Sequence, residues 1–301
     1  MRESELHNHL YTLTNAMAAR WPQVIVGPGD DCAVVNTRAG DVLVTVDQVV
    51  EGVHFHPGTP VDLIARKAVA RSLSDIAAMG GTAAGGWGLA TGLLPSGDPR
   101  ARPLIDALHA HARRWSIPIV GGDIAFGPVS LPLSLTLTIA GLPHPSRGPV
   151  LRSGARAGDE LWITGRIGNS LASGRHLTFE PRLAAGAWLA GTLGDRLHAM
   201  IDLSDGLGID ASRLARSSGV RIEIDGDRVP RHTDAPDPAR AIADGEDHEL
   251  AFCVAPGANL PATAPEGLEL TRIGRVVPGA GCTVTIGGHV HEASRMGWDH
   301  G

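Results

Sequence analysis

DVLVTVDQVVEGVHF, residues 41–55, and GTPVDLIARKAVARSLSDIAAMG, residues 58–80, form the stretch on which the fold turns. The first segment is rich in β-branched residues and alternates, so Val42, Val44 and Val46 fall on one face of a strand and Leu43, Thr45 and Asp47 on the other. Asp47 is therefore expected on that strand or at its end. The second segment predicts a helix with Thr59 as N-cap, Pro60 at the first helical position, Asp62 in the first turn and Gly80 just beyond the last turn. Val69, Leu73 and Ile76 make its buried stripe. Asp75 falls near the C-terminal end, where the helix dipole opposes a carboxylate and a cation is wanted.

The first half as a whole reads as strand-rich with this one clear helix. LPLSLTLTIAG, residues 131–141, alternates Leu133, Leu135, Leu137 and Ile139 with Ser134, Thr136 and Thr138, the pattern of a half-buried antiparallel strand. The proline-rich LPHPSRGP, residues 142–149, is the expected linker. It divides the chain into an N-terminal domain, 1–143, and a C-terminal domain, 149–301. In the second half ELWITG, VRIEID, ELAFCV and CTVTIGG read as short strands, with a helix from Asp210 to Ser218 that Gly219 ends, so this half is α+β. The uncharged run at 76–97 holds seven glycines and is expected to be core structure and loop, not a membrane span.

Composition narrows the function. A chain of 301 residues exceeds the usual limit of one growing core, which favours two domains. A formal charge of -6 argues against a surface built for nucleic acid or anionic lipid, so any phosphorylated ligand must be held by local groups. Three separated cysteines without CxxC support neither a disulfide framework nor a thiolate zinc site, and the N-terminus has no signal-peptide pattern. A cytoplasmic protein is expected.

The informative residues are acidic: Asp30 and Asp31 in GPGDD, Asp47 in TVDQ, Asp75 in SLSDIAAMG, Asp123 in GGDI, and Asp202 and Asp205 in DLSDG. Singly, an aspartate beside glycine is a turn residue. Converging, such carboxylates would repel one another unless hard cations joined them, and Mg²⁺ commonly combines carboxylates with substrate phosphates. Phosphate-loop, dinucleotide-fold, HExxH zinc and GxSxG hydrolase patterns are all missing from the sequence.

GPGDDCAVV, TVDQVVEGVHF, KAVARSLSDIAAMGG, IVGGDIAFG, LRSGARAGDELWITGRIG, MIDLSDGLGIDASRLARSSGV, GEDHELAF and a terminal GWDH stand in the order and approximate spacing of the thiamine-monophosphate kinases, which the chain resembles over nearly its whole length. The resemblance implies a two-domain α/β (α+β) fold of the aminoimidazole ribonucleotide synthetase-like kind, with the strand-rich N-terminal half pairing across a homodimer. It implies Mg²⁺-assisted, direct in-line transfer of the ATP γ-phosphoryl group to thiamine monophosphate, giving thiamine diphosphate. By the same resemblance Asp30, Asp31, Thr45, Asp47, Asp75, Asp123, Asp202 and Asp205 hold several Mg²⁺ ions. Gly122, Asp123, Arg152 and Ser204 meet the nucleotide, and Asp205, Asp123 and Arg152 are the catalytic set. His54, which shares a strand face with His56, meets the thiamine moiety together with Glu246 and Trp298. ATP and thiamine monophosphate are thus the expected partners, with no nucleic acid and no membrane.

This chain departs from the family pattern at Val46, where only the main-chain carbonyl remains for a metal, at Ile124 and at His248. The stretches at 174–182 and 236–241 are also shorter than the family's. None of these departures removes a carboxylate. A related ATP-using enzyme with another phosphorylated or amide substrate and a non-catalytic nucleotide-binding paralogue are the competing readings. The intact carboxylate set speaks against the paralogue.

Overall fold

The computed structural model describes residues 3–14 and 17–298. In the first half, α1 (Glu3–Thr14) and α2 (Met17–Arg20) precede β1 (Val24–Val26), β2 (Ala33–Thr37) and β3 (Gly40–Val50). Then come α3 (Val61–Ala78), β4 (Thr82–Pro95), α4 (Ala101–Arg114), β5 (Ile119–Gly127) and β6 (Ser134–Leu142). The second half runs β7 (Glu160–Thr164), α5 (Ser170–Ser173), α6 (Leu183–Leu193), β8 (Leu197–Asp202), α7 (Leu207–Ser218), β9 (Arg221–Asp225), α8 (Pro238–Ala243), β10 (Leu250–Val254), β11 (Leu270–Val277), β12 (Gly281–Ile286) and β13 (His289–Glu292).

The strands form two sheets, ordered β1-β2-β3-β6-β4-β5 and β13-β12-β9-β11-β7-β10-β8. In the first, β3 buries Leu43, Thr45 and Val49 while Val46 faces out, so the buried face is the one that carries Asp47. β6 lies antiparallel between β3 and β4 and buries Leu135, Leu137 and Ile139. β4, α4 and β5 form a strand–helix–strand crossover with β4 and β5 parallel. Gly122 is required there, because a Cβ would stand 1.7 Å from the Ala90 carbonyl oxygen.

Several expectations need correction. Thr59 does not cap α3: its hydroxyl donates to the His56 carbonyl, and Pro60 holds the N-cap position with no side-chain cap. At the other end Gly80 adopts φ 66°, as a residue closing a helix does. His54 and His56 do not share a strand face, since β3 ends at Val50 and His54 sits in the turn that follows. Most of the run 76–97 is strand β4, because pairing on both edges outweighs the weak strand propensity of its glycines. The first half also holds α4, whose Leu104, Leu108 and Ala112 face the core.

α3 positions the site. It packs on β3, β6 and α4 on one side and on α6 and β8 on the other, so it is buried nearly all round. Its last turn contributes Ala77 and Ala78 to a cluster with Val150, Leu189, Met200 and Phe252 of the second half. The α3 dipole therefore ends inside the junction of the two sheets.

Candidate active site

Three segments bring carboxylates to that junction. Asp31 comes from the loop before β2, Asp75 from the last turn of α3 and Asp202 from the end of β8. One oxygen from each lies within 4.8 Å of the others. At that separation two ionised groups repel by about 3–4 kcal/mol for a partly screened site. Burial, followed by the charges of Asp47, Asp202 and Asp31, raises the Asp75 carboxyl well above its ordinary value. Burial likewise pushes Asp31 up to about 7, although Arg152 opposes it. Asp202 behaves differently: burial raises it, but hydrogen bonds from His248 and Ser74 outweigh that and hold it below the usual carboxylate value. A dry cluster of hard oxygen donors with unfavourable charge suits a divalent cation such as Mg²⁺.

The neighbours fix these carboxylates. Thr45 Oγ1 donates to Asp75 Oδ2, and Ser74 Oγ donates to Asp202 Oδ2 at 2.7 Å. Arg152 grips Asp31 from two nitrogens at 2.9 and 3.1 Å, while its main-chain N–H donates to Asp30. Arg152 is thus already engaged with an aspartate. Asp47 sits at the margin, 3.6 Å from Arg71, and burial raises its carboxyl in spite of that cation. Asp205 pairs with Arg213, which also holds Asp210 at 2.6 Å. Asp123 does not join the group: it lies on β5, three strands from β3, or about 14 Å across the sheet. Its row is that of Thr91, Thr136 and Gln48, on the face opposite Asp47.

Beside the cluster opens a cavity of about 330 Å³ lined by His54, Arg71, Ser204, Asp205, Glu246 and Trp298, among others. The structure therefore places His54, Glu246 and Trp298 around one space. Trp298 is anchored by its main-chain N–H on the Asp205 carbonyl, and the residue is 59% exposed. Of the closing GWDH motif, Asp299 and His300 lie outside the described residues. The His54 ring accepts from the Val50 N–H at 3.1 Å and its carbonyl accepts from Lys67 at 2.7 Å. Glu246 meets Lys67 at 3.0 Å, His248 at 3.1 Å and Arg71 at 3.4 Å. Burial alone would raise its carboxyl, but His248, Arg71 and Lys67 hold it well below the ordinary range. His248 also reaches Asp202 at 3.3 Å and stacks on Phe179, so one imidazole links the cavity to the carboxylate cluster. A separate, largely apolar cavity of about 530 Å³ lies between α4 and the edge strands, lined by Leu94, Leu104, Leu108, Gly122 and Asp123 among others.

Sequence reasoning missed Arg71, Lys67 and Arg213. A signal for two of them was present, since Lys67, Arg71 and Asp75 recur every four residues on one helix and must share a face.

Two models of one protein class match this architecture: "AIR synthase related protein, N-terminal domain" at residues 29–142 and "AIR synthase related protein, C-terminal domain" at 156–287. The chain is a two-domain α/β protein of that class. Within it, the chain is 37% identical over 278 residues to the thiamine-monophosphate kinase of Rhodopirellula baltica, covering 85% of this chain and 84% of that protein. It is 36% identical to the thiamine-monophosphate kinase of Salmonella typhimurium, covering 84% of each. Among solved structures, AaThiL complexed with AMPPCP and TMP superposes with a TM-score of 0.77 at 26% identity, over 100% of this chain and 99% of that one. The thiamine-monophosphate kinase of Stenotrophomonas maltophilia matches at 0.67 and 28% over 94% and 97%. The chain belongs to the thiamine-monophosphate kinase family, a family of phosphotransferase enzymes.

Proposed function

We propose that the chain transfers the γ-phosphoryl group of ATP to the phosphate of thiamine monophosphate, releasing ADP and thiamine diphosphate. The observation that carries this reading is the abutment of a three-carboxylate cluster, buried at Asp31 and Asp202 and half-buried at Asp75, on a cavity walled by Trp298, His54 and Glu246. The aromatic face and the carboxylate suit a flat cationic heterocycle. The names of the relatives, and the nucleotide analogue and TMP held by AaThiL, support the same substrates.

Asp31, Asp75 and Asp202 would hold Mg²⁺, with Asp30, Thr45, Asp47 and Asp205 completing the set carried by resemblance on one chain and Asp123 reaching such a site only from a second copy. When bound, the cation neutralises phosphate oxygens that would otherwise repel each other. The protein residues do the positioning. Arg152 orients Asp31, His248 ties Asp202 to the cavity wall, and Ser204 offers a hydroxyl at the cavity edge. No protein nucleophile is required, and the nearby Cys32 is unsuited to be one, since burial pushes its thiol well up. The apolar cavity beside Gly122 and Asp123 takes the nucleotide base.

The domains 1–143 and 149–301 work as a homodimer in the cytoplasm. Exposed Val46, Leu89 and Leu93 on the open sheet face, and Val120 and Phe126 on edge strand β5, support the dimer. Among the described residues no helix is long and apolar enough to cross a membrane. Incubation with ATP, Mg²⁺ and thiamine monophosphate, followed by chromatography, tests the reading. Equal amounts of ADP and thiamine diphosphate are expected; ADP without thiamine diphosphate counts against it.

A further inference from the structure

We propose that Arg71 is the residue that binds the acceptor's phosphate in the cavity next to the carboxylate cluster. The proposal rests on the kinase reading above and adds a specific cation to it. Arg71 lies one helical turn before Asp75 on α3, so its guanidinium stands where the cluster and the cavity meet. Its side chain is only 16% exposed, yet it is poorly satisfied. The nearest carboxylates stand 3.4 Å away at Glu246 and 3.6 Å away at Asp47, and its buried Nε has no hydrogen-bond partner among the described residues. Arg152 and Arg213, by contrast, close on their aspartates at 2.9 and 2.6 Å.

A buried guanidinium with an unspent N–H and long ion pairs has donors left for a planar-fork contact with a phosphate. The cavity needs such a group, because Asp205, Asp244 and Glu246 on its wall would repel an anionic acceptor. Lys67 cannot supply it: its ammonium is fully buried and spent on the His54 carbonyl at 2.7 Å, His176 at 2.8 Å and Glu246 at 3.0 Å. Arg240 also lines the cavity but is solvent-exposed, where a charge pair is worth little. Removing Arg71 leaves Glu246 still paired with Lys67 and His248, so the heterocycle's surroundings keep their order.

The test is a cycle between residue and ligand phosphate. Titration calorimetry in Mg²⁺ compares thiamine monophosphate with free thiamine, which lacks only the phosphate, for the wild type, Arg71→Gln and Arg71→Lys. The wild type should prefer the monophosphate. In Arg71→Gln that preference should fall by about 10- to 100-fold, as expected for losing a charge-assisted contact, while affinity for thiamine and for a non-hydrolysable ATP analogue stays within about threefold. Arg71→Lys should recover part of the preference, and it carries the same comparison if the Gln variant does not fold. Equal losses for both thiamine compounds, or an unchanged preference, would overturn the assignment and leave Arg71 a counter-ion of Asp47 and Glu246. A wild type that binds neither compound contradicts the kinase reading itself, a result separable from failure at Arg71.

Discussion

Asp75 stands at the end of a helix whose dipole repels it, inside a cluster of like charges, and the cation proposed for this site would relieve both penalties. Asp75→Asn should therefore lower kcat by several kcal/mol in activation free energy, while the melting temperature of the metal-free protein stays level or rises as repulsion falls. Near-normal turnover at saturating Mg²⁺ would exclude Asp75 from the metal set. At the acceptor side, Trp298→Ala should weaken thiamine monophosphate binding by roughly 1–2 kcal/mol and leave the ATP analogue unaffected, with Phe restoring much of the loss. Equal loss of both ligands with a lower melting temperature would mark Trp298 as a packing anchor.

A third residue makes a pH prediction. His176 is buried against Lys67, and burial, with that positive charge, lowers it to about 4. Because the unfolded imidazole binds its proton near 6.5, acid favours the unfolded chain. The contribution of neutral His176 is complete above about pH 6.5 and is lost as pH falls toward 4. Urea midpoints followed from pH 7 to 4.5 should fall less steeply in His176→Gln than in the wild type. Parallel curves would rule out this linkage.

Among the elements, α3 decides how the two sheets meet, and its contact with α6 leaves no spare room. A Cβ on Gly186 would stand 2.2 Å from the Ala77 carbonyl oxygen, so Gly186→Ala must push the helices apart. The expected loss is about 1–3 kcal/mol of unfolding free energy, read from denaturant midpoints, and an unchanged midpoint would deny the close approach. What the sequence made legible follows local pattern. β3 and β6 alternate over their length, and α7 ends at a glycine in the left-handed conformation, so each could be placed. β4 could not, because its four glycines have little propensity and only pairing with β5 and β6 makes it a strand. α4 carries a readable Leu104–Leu108–Ala112 stripe, which a strand-rich reading of this half passes over. In the site, motif residues were legible by resemblance, whereas the link from Glu246 through His248 to Asp202 arises from chain segments more than forty residues apart.

For the whole molecule, the proposed function would make catalysis and assembly meet on the first sheet. One face carries Asp47 toward the carboxylate cluster, while the opposite face carries Asp123 among exposed Val46, Leu89 and Leu93. If a second copy covers that open face, light scattering should give about twice the chain mass, and Leu89→Glu should shift it toward the monomer. A monomeric wild type would refute the dimer and leave Asp123 remote from the cluster. In the proposed function the cluster and its adjoining cavity form one phosphotransferase centre selective for thiamine monophosphate. It is tested most directly by ADP release from ATP and Mg²⁺ with thiamine monophosphate, free thiamine or an aminoimidazole ribonucleotide precursor as acceptor. Turnover with thiamine monophosphate alone is the expected result; turnover only with another acceptor would rule out this centre as a thiamine-monophosphate kinase.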